Sequence, residues 1–139
     1  MNKITRLISV VILSAFLLSA CGSIGGSSSD LKGSAWELVS LGDALPVPGT
    51  NVTLSFEKDN LGGNGGCNSY GGEFKLKGDK LTIGNVYSTE MYCEAEGIMD
   101  QEARYYQMIS NVESFSVDGE ELILNTADGE TLVFHRLGQ

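Results

Sequence analysis

Residues 62–74 read GGNGGCNSYGGEF, from Gly62 through Cys67 and Tyr70 to Phe74. Six glycines and one cysteine fall in thirteen residues, between segments that alternate apolar and polar side chains. Such a stretch suits a phosphate cradle, a redox or metal site, or a bend in a small β-fold. A dinucleotide fingerprint needs G-x-G-x-x-G between a strand and a helix. Here Gly63-Asn64-Gly65-Gly66-Cys67-Asn68 ends in asparagine, a strand pattern follows, and no Walker lysine is present. Glycine within a strand pattern marks a bulge, a sharp bend or close backbone approach, and such points let strands coil around a core. The segment is therefore expected to bend the chain of a small β-domain.

The flanking sequence supports that reading. Residues 51–58 (NVTLSFEK) send Val52, Leu54 and Phe56 to one face and Thr53, Ser55 and Glu57 to the other, the pattern of a half-buried antiparallel strand. Residues 34–41 (SAWELVSL) place Trp36, Leu38 and Ser40 opposite Glu37 and Val39, before Pro46, Pro48 and Gly49 mark a loop. Beyond the glycines, residues 73–77 carry Phe74 and Leu76 inward, Gly78-Asp79 turns the chain, and Leu81 and Ile83 alternate within residues 80–86. Residues 113–117, 121–125 and 131–136 form a meander whose turns hold Asp118-Gly119 and Asp128-Gly129. Glycine accepts positive φ there without steric cost, so both read as hairpins. Phe115, Val117, Leu122, Leu124, Leu132 and Phe134 form the inward set. Residues 97–111 differ: Met99, Ala103, Tyr106 and Ile109 recur at helical spacing, with Asp100 and Glu102 near the positive N-terminal end. The fold class expected is mainly β (α+β), a small antiparallel β-barrel-like sheet with one amphipathic helix.

The first residues read as an export signal. Lys3 and Arg6 precede an apolar run of 14 at residues 7–20, a length that fits a signal peptide and is short for a membrane span. Leu18-Ser19-Ala20-Cys21 resembles the lipobox of bacterial lipoproteins, whose cysteine is acylated and becomes the new N-terminus. Residues 1–20 are thus expected to be a signal peptide, and residues 21–30 a lipidated Cys21 with a flexible Gly/Ser tether. Residues 31–139 are expected to form one domain. Nine Gly/Ser-rich residues span roughly 15–18 Å, which keeps the domain near the bilayer surface, and more than one acyl chain anchors it stably. The expected location is the extracytoplasmic face, with Gly22 after the cysteine favouring the outer membrane in a cell that has two.

The chain holds 9 Lys+Arg against 18 Asp+Glu; without Lys3 and Arg6 the balance is 7 against 18, net −11. That charge opposes nucleic acid and anionic lipid and suits a basic protein partner or simple solubility. With Cys21 lipidated, Cys67 and Cys93 remain, and in an oxidising compartment a disulfide is the leading expectation, two buried thiols the alternative. Zinc lacks ligands, since the single histidine, His135, is distant in sequence and no catalytic motif includes it. Glu90, Glu94, Glu96, Asp100 and Glu102 surround Cys93 without the oxygen-rich spacing of a calcium loop, and read as helix N-terminal acids and surface charge. No cofactor, metal or catalytic residue is expected.

The order of motifs resembles a known family. A Trp36-Glu37-Leu38 strand, Leu54-Ser55-Phe56, Gly66-Cys67-Asn68-Ser69-Tyr70-Gly71-Gly72, Leu81-Thr82-Ile83-Gly84 and Thr89-Glu90-Met91-Tyr92-Cys93 are followed by a helix with Glu102 and Tyr105 and by two hairpins. This looks like the META domain of HslJ-like heat-shock proteins, in lipoprotein form. The resemblance implies a compact barrel-like sheet with one helix, with Cys67 and Cys93 in one neighbourhood. It implies envelope proteins of stress tolerance, antibiotic resistance or virulence, and supplies no catalytic residue. The expected function is a monomeric, non-enzymatic lipoprotein of the cell envelope acting in stress response through protein contacts. An alternative is an acidic inhibitor or binder of a basic extracytoplasmic enzyme such as lysozyme, and a second is a small-molecule carrier using the barrel mouth. Asn68 and Tyr70 are the candidate interaction residues of the glycine-rich segment.

Overall fold

Alternation of period two places apolar side chains on one face of each strand, and eight such strands close here into a barrel. The computed structural model describes residues 28–138. The signal peptide, Cys21 and the greater part of the tether expected from the sequence lie outside the described residues. A helical turn α1 (Ser28–Leu31) leads into β1 (Ala35–Leu41), β2 (Thr53–Glu57), β3 (Asn60–Asn64), β4 (Ser69–Lys77) and β5 (Lys80–Ser88). Helix α2 (Ile98–Ser110) then precedes β6 (Val112–Asp118), β7 (Glu121–Thr126) and β8 (Thr131–Arg136). Each strand pairs antiparallel with the next and β8 returns to β1, closing an up-and-down barrel without a free edge. Among the described residues no helix is long and apolar enough to cross a membrane.

An eight-stranded barrel has an interior just wide enough for side chains to fill. Trp36, Leu54, Phe56, Leu81, Leu122, Leu124, Leu132 and Phe134 fill it and are fully buried. Burying each such side chain contributes roughly 1.5–3 kcal/mol. The Trp36 indole N–H donates to Ser34 Oγ at 2.6 Å, and that hydroxyl donates to the Leu31 carbonyl, so α1 is fastened to the barrel. The Arg136 guanidinium covers the outer side of the Trp36 ring at 4.1 Å.

Three expectations change. Residues 60–64, read as the start of a bend, are the strand β3, and β4 begins at Ser69 rather than residue 73. The glycine-rich segment is thus two paired strands joined by a tight loop: Leu61 lies opposite Gly72, Gly62 opposite Gly71 and Gly63 opposite Tyr70. The expected irregularity survives at Gly72, where the β4–β5 register shifts between Gly71 and Glu73. In β1 a bulge between Leu38 and Ser40 turns Leu41 inward and leaves Ser40 half-exposed. Helix α2 presents a different face from the one its apolar period suggests. Gln101, Glu102, Tyr105, Met108 and Ile109 are buried, Met99 and Tyr106 are half-buried, and Ala103 is exposed. Two polar residues point inward because loops at that end of the barrel supply their partners.

The topology sorts the connections onto two ends. One end carries α1, the β2–β3 turn at Lys58-Asp59, the β4–β5 turn at Gly78-Asp79 and the β6–β7 turn at Gly119. Gly33 N donates to Phe56 O and Leu137 N to Ala35 O there. The other end carries the β1–β2, β3–β4 and β7–β8 connections and is capped by α2. Gln101 accepts from Val47 N and donates to Thr50 Oγ1, while Ala127 N donates to Asn111 O at the far end of the helix.

Gly63 is required by close approach: a Cβ there would stand 2.0 Å from the Thr53 carbonyl oxygen. At Gly84 a Cβ meets nothing within 4 Å, and φ is not positive. Gly63→Ala is accordingly expected to cost about 2–4 kcal/mol through backbone displacement, and Gly84→Ala to stay within about 1 kcal/mol of wild type. Urea denaturation of the two variants reads the contrast, and equal midpoints would refute the close-approach role of Gly63.

Candidate functional site

In the tight loop at residues 65–68, Gly65 N donates to Asn68 O and Gly66 N to Asn64 Oδ1, while the Cys67 and Asn68 N–H groups point toward the helix. Buried N–H groups need acceptors. Glu102, 4% exposed, supplies them: its Oε2 accepts from Cys67 N at 3.0 Å and from Asn68 N at 2.6 Å. Its Oε1 accepts from Asn68 Nδ2 at 2.7 Å. The remaining Asn68 amide proton goes to Met91 O at 3.0 Å, and Asn68 Oδ1 accepts from Met91 N and Thr89 Oγ1, each at 2.7 Å. One asparagine thereby joins the β3–β4 loop, the helix and the segment after β5.

A disulfide joins Cys67 to Cys93, with Cα atoms 6.0 Å apart and a sequence separation of 26. It fastens the same loop to the same segment that Asn68 holds. In the chain-entropy account it stabilises the fold by roughly 3.5 kcal/mol.

Behind Asn68 lies a cluster of three tyrosines. The Tyr70 and Tyr105 hydroxyls meet at 2.6 Å, and Tyr70 also donates to Thr53 O at 2.9 Å. Their rings pack edge-to-face with centroids 5.5 Å apart, and Tyr106 packs on Tyr70 at the same distance. Tyr106 donates to Asn68 O at 3.2 Å. Burial holds the Tyr70 and Tyr105 phenols well above the ordinary tyrosine range. Burial, and then the charge of Glu102, pushes Tyr106 up to about 12.

The residues singled out from the sequence divide clearly. Cys67, Cys93, Asn68 and Tyr70 come together, with Asn68 2% and Tyr70 6% exposed and their polar atoms engaged inside the protein. Cys21 lies outside the described residues. Glu102 leaves the acidic group in which its sequence position placed it. It faces the loop, whereas Glu90, Glu94, Glu96 and Asp100 are exposed. His135 is exposed on β8, away from this cluster. No group of three or more His, Cys, Asp or Glu residues with metal-binding proximity occurs among the described residues. Sequence reasoning missed the inward roles of Gln101 and Glu102. The available signal was their alignment with Tyr105, Met108 and Ile109 at spacings of three, four and seven.

The arrangement gives the loop a saturated interior: among the described residues every buried side-chain nitrogen and oxygen has a partner. Glu102→Gln replaces one acceptor oxygen by an amine that faces the Asn68 amine, donor against donor. It is expected to cost about 2–3 kcal/mol, and Glu102→Ala more, because the loop N–H groups lose their acceptor. Urea titration measures both, and a Glu102→Ala variant of wild-type stability would refute the role. The tyrosines set an alkaline limit. Phenols whose folded-state values are raised contribute stability that is complete below about pH 10, the unfolded value, and is lost as pH climbs above it. The urea midpoint should therefore fall above that pH, and fall less in a Tyr70→Phe/Tyr105→Phe variant.

Residues 29–139 match the family model of the META domain. No curated protein matches the chain. A protein from Burkholderia xenovorans solved by NMR is similar in structure at a TM-score of 0.68 and 26% identity, covering 80% of this chain and 86% of its own. A second NMR structure aligns with a TM-score of 0.66 at 21% identity over 79% of this chain and 94% of the other. A DUF4847 family protein from Bacteroides vulgatus shares the fold alone, with a TM-score of 0.58 at 14% identity over 82% of this chain and 99% of the other. The match spans nearly all of the described barrel and includes the loop, helix and disulfide assembled above, so the chain belongs to the META domain family.

Proposed function

We propose that this protein is a non-enzymatic, lipid-anchored META-domain protein of the bacterial cell envelope that acts through protein contacts in stress response. The observation that carries this reading is the state of the signature segment. Glu102, Asn68, Tyr70 and Tyr105 spend their polar atoms on one another and on backbone, which suits a rigid scaffold presenting a surface. The export signal, the lipobox-like Leu18-Ser19-Ala20-Cys21 and the Gly/Ser residues after it support placement on the extracytoplasmic face. In a cell with two membranes Gly22 favours the outer one. The disulfide agrees with an oxidising compartment.

The net charge of −11 after removal of Lys3 and Arg6 favours a basic partner, and an extracytoplasmic lytic enzyme such as lysozyme is one such partner. Inhibition of lysozyme by the purified protein, weakening with salt, would support that form of the reading. A carrier role is disfavoured by the barrel interior, which Trp36, Phe56, Phe134 and their neighbours occupy.

Anchoring is tested by Cys21→Ala. The wild-type chain is expected in the membrane fraction and resistant to high-salt washing, while the variant is released to the soluble exported fraction. Retention of the variant on membranes would overturn the anchor.

A further inference from the structure

We propose that the helix-capped end of the barrel is a docking surface for a basic protein segment, with Tyr87, Met91 and Tyr92 as its apolar centre and Glu90, Glu94 and Glu96 as its charged rim. This deepens the partner half of the proposed function and rests on it. The three central side chains are 71%, 58% and 79% exposed, unusual for two aromatics and a methionine. The backbone that carries them is fixed. Tyr87 lies across Gly71 on the neighbouring strand, where a Cβ would stand 2.6 Å from its hydroxyl. Met91 is gripped by Asn68 through both its N–H and its carbonyl, and Cys93 is tied to Cys67. A surface groove is walled by Met91, Tyr92, Met99 and Tyr106 and edged by Glu90 and by Ser88, the residue after Tyr87. Rigid aromatics lose little entropy on contact, and methionine adapts to irregular partners.

Charge selects the partner. Among the described residues, Lys32, Lys58, Lys75 and Lys77, together with Arg136, belong to the opposite end, where α1 emerges, and Lys80 pairs with Ser114 beside the C-terminus of α2. Arg104 is the one base on the helix, and it is engaged by Glu130 at 2.7 Å. The rim therefore has no cation of its own close at hand. Lysine or arginine arriving there relieves repulsion among the acids and finds tyrosine faces for cation–π contact. A second copy is a poorer occupant, because its lysine end also carries Glu57, Asp59, Asp118, Glu120 and Glu121, which offset its bases. With α1 at the lysine end, the acidic end is the one farther from an anchor that precedes α1.

The test uses the full chain in a neutral detergent and two short peptides, one alternating arginine with serine and the other glutamate with serine, in about 50 mM salt. The arginine peptide is expected to bind and to slow hydrogen exchange in residues 87–103, and the glutamate peptide to do neither. Charge reversal by Glu90→Lys/Glu94→Lys/Glu96→Lys should weaken binding about tenfold, and Tyr87→Ser/Tyr92→Ser about fivefold. Reversal at the other end by Glu57→Lys/Asp59→Lys/Glu120→Lys should change it less than about twofold. Absence of binding, equal loss from both reversals, indifference to the tyrosines, or self-association through the rim without peptide would each overturn the proposal. Cys21→Ala fractionation involves no peptide, so failure of the anchor and failure of this surface are separately visible.

Discussion

The structure depends on one buried carboxylate. Every strand end at the capped end of the barrel leaves backbone groups that no ladder can satisfy, and the β3–β4 loop leaves two N–H groups side by side at Cys67 and Asn68. Glu102 answers both with a single oxygen and uses the other to hold the Asn68 amide. An orphaned buried N–H costs on the order of 1–3 kcal/mol, and bonds to a charged acceptor are stronger than neutral ones. The carboxylate therefore determines the rotation of α2 about its axis. Once Glu102 faces the loop, Tyr105, Met108 and Ile109 must face the core, and Gln101 must face the β1–β2 loop.

That dependence also explains what could be read from the sequence. Strands whose inward faces are apolar, such as Thr53–Glu57 and Thr131–Arg136, follow directly from alternation, and so do the hairpins at Gly119 and Gly129. Asn60–Asn64 escapes because glycines at 62 and 63 remove the side chains on which alternation depends. Those glycines are there for a tertiary reason, the approach of the Thr53 carbonyl to Gly63. The helix face is misjudged for the complementary reason. A hydrophobic stripe is the correct guide only where the interior is apolar, and here part of the interior is a row of backbone donors from a loop thirty-four residues earlier than Glu102. Resemblance to the META domain named the loop, helix and cysteine pair as a unit; cysteine count and compartment paired the cysteines without revealing the carboxylate between them.

The disulfide and the carboxylate act on the same loop but on different states of the chain. Glu102 lowers the energy of the folded loop, whereas Cys67–Cys93 removes conformations from the unfolded chain. A domain of this size has a modest core, so the two contributions together are a substantial part of its margin. They also share an outcome. The segment from Thr89 to Cys93 makes no strand, yet it is held at Thr89 Oγ1, at Met91 N and O, and at Cys93 Sγ.

A segment so held without secondary structure is costly to evolve for packing alone, because its large side chains Met91 and Tyr92 remain in water. Apolar groups in a core return the entropy spent in ordering them; apolar groups on a fixed exposed loop return it only when something covers them. Fixing them in advance lowers the ordering cost at the moment of contact. The saturated knot formed by Asn68, Glu102 and the disulfide therefore fixes the backbone of this exposed segment as well as closing the fold. In the proposed docking surface, buried polar chemistry that can accept no ligand itself sets the positions of Glu90, Met91 and Tyr92 on the same segment.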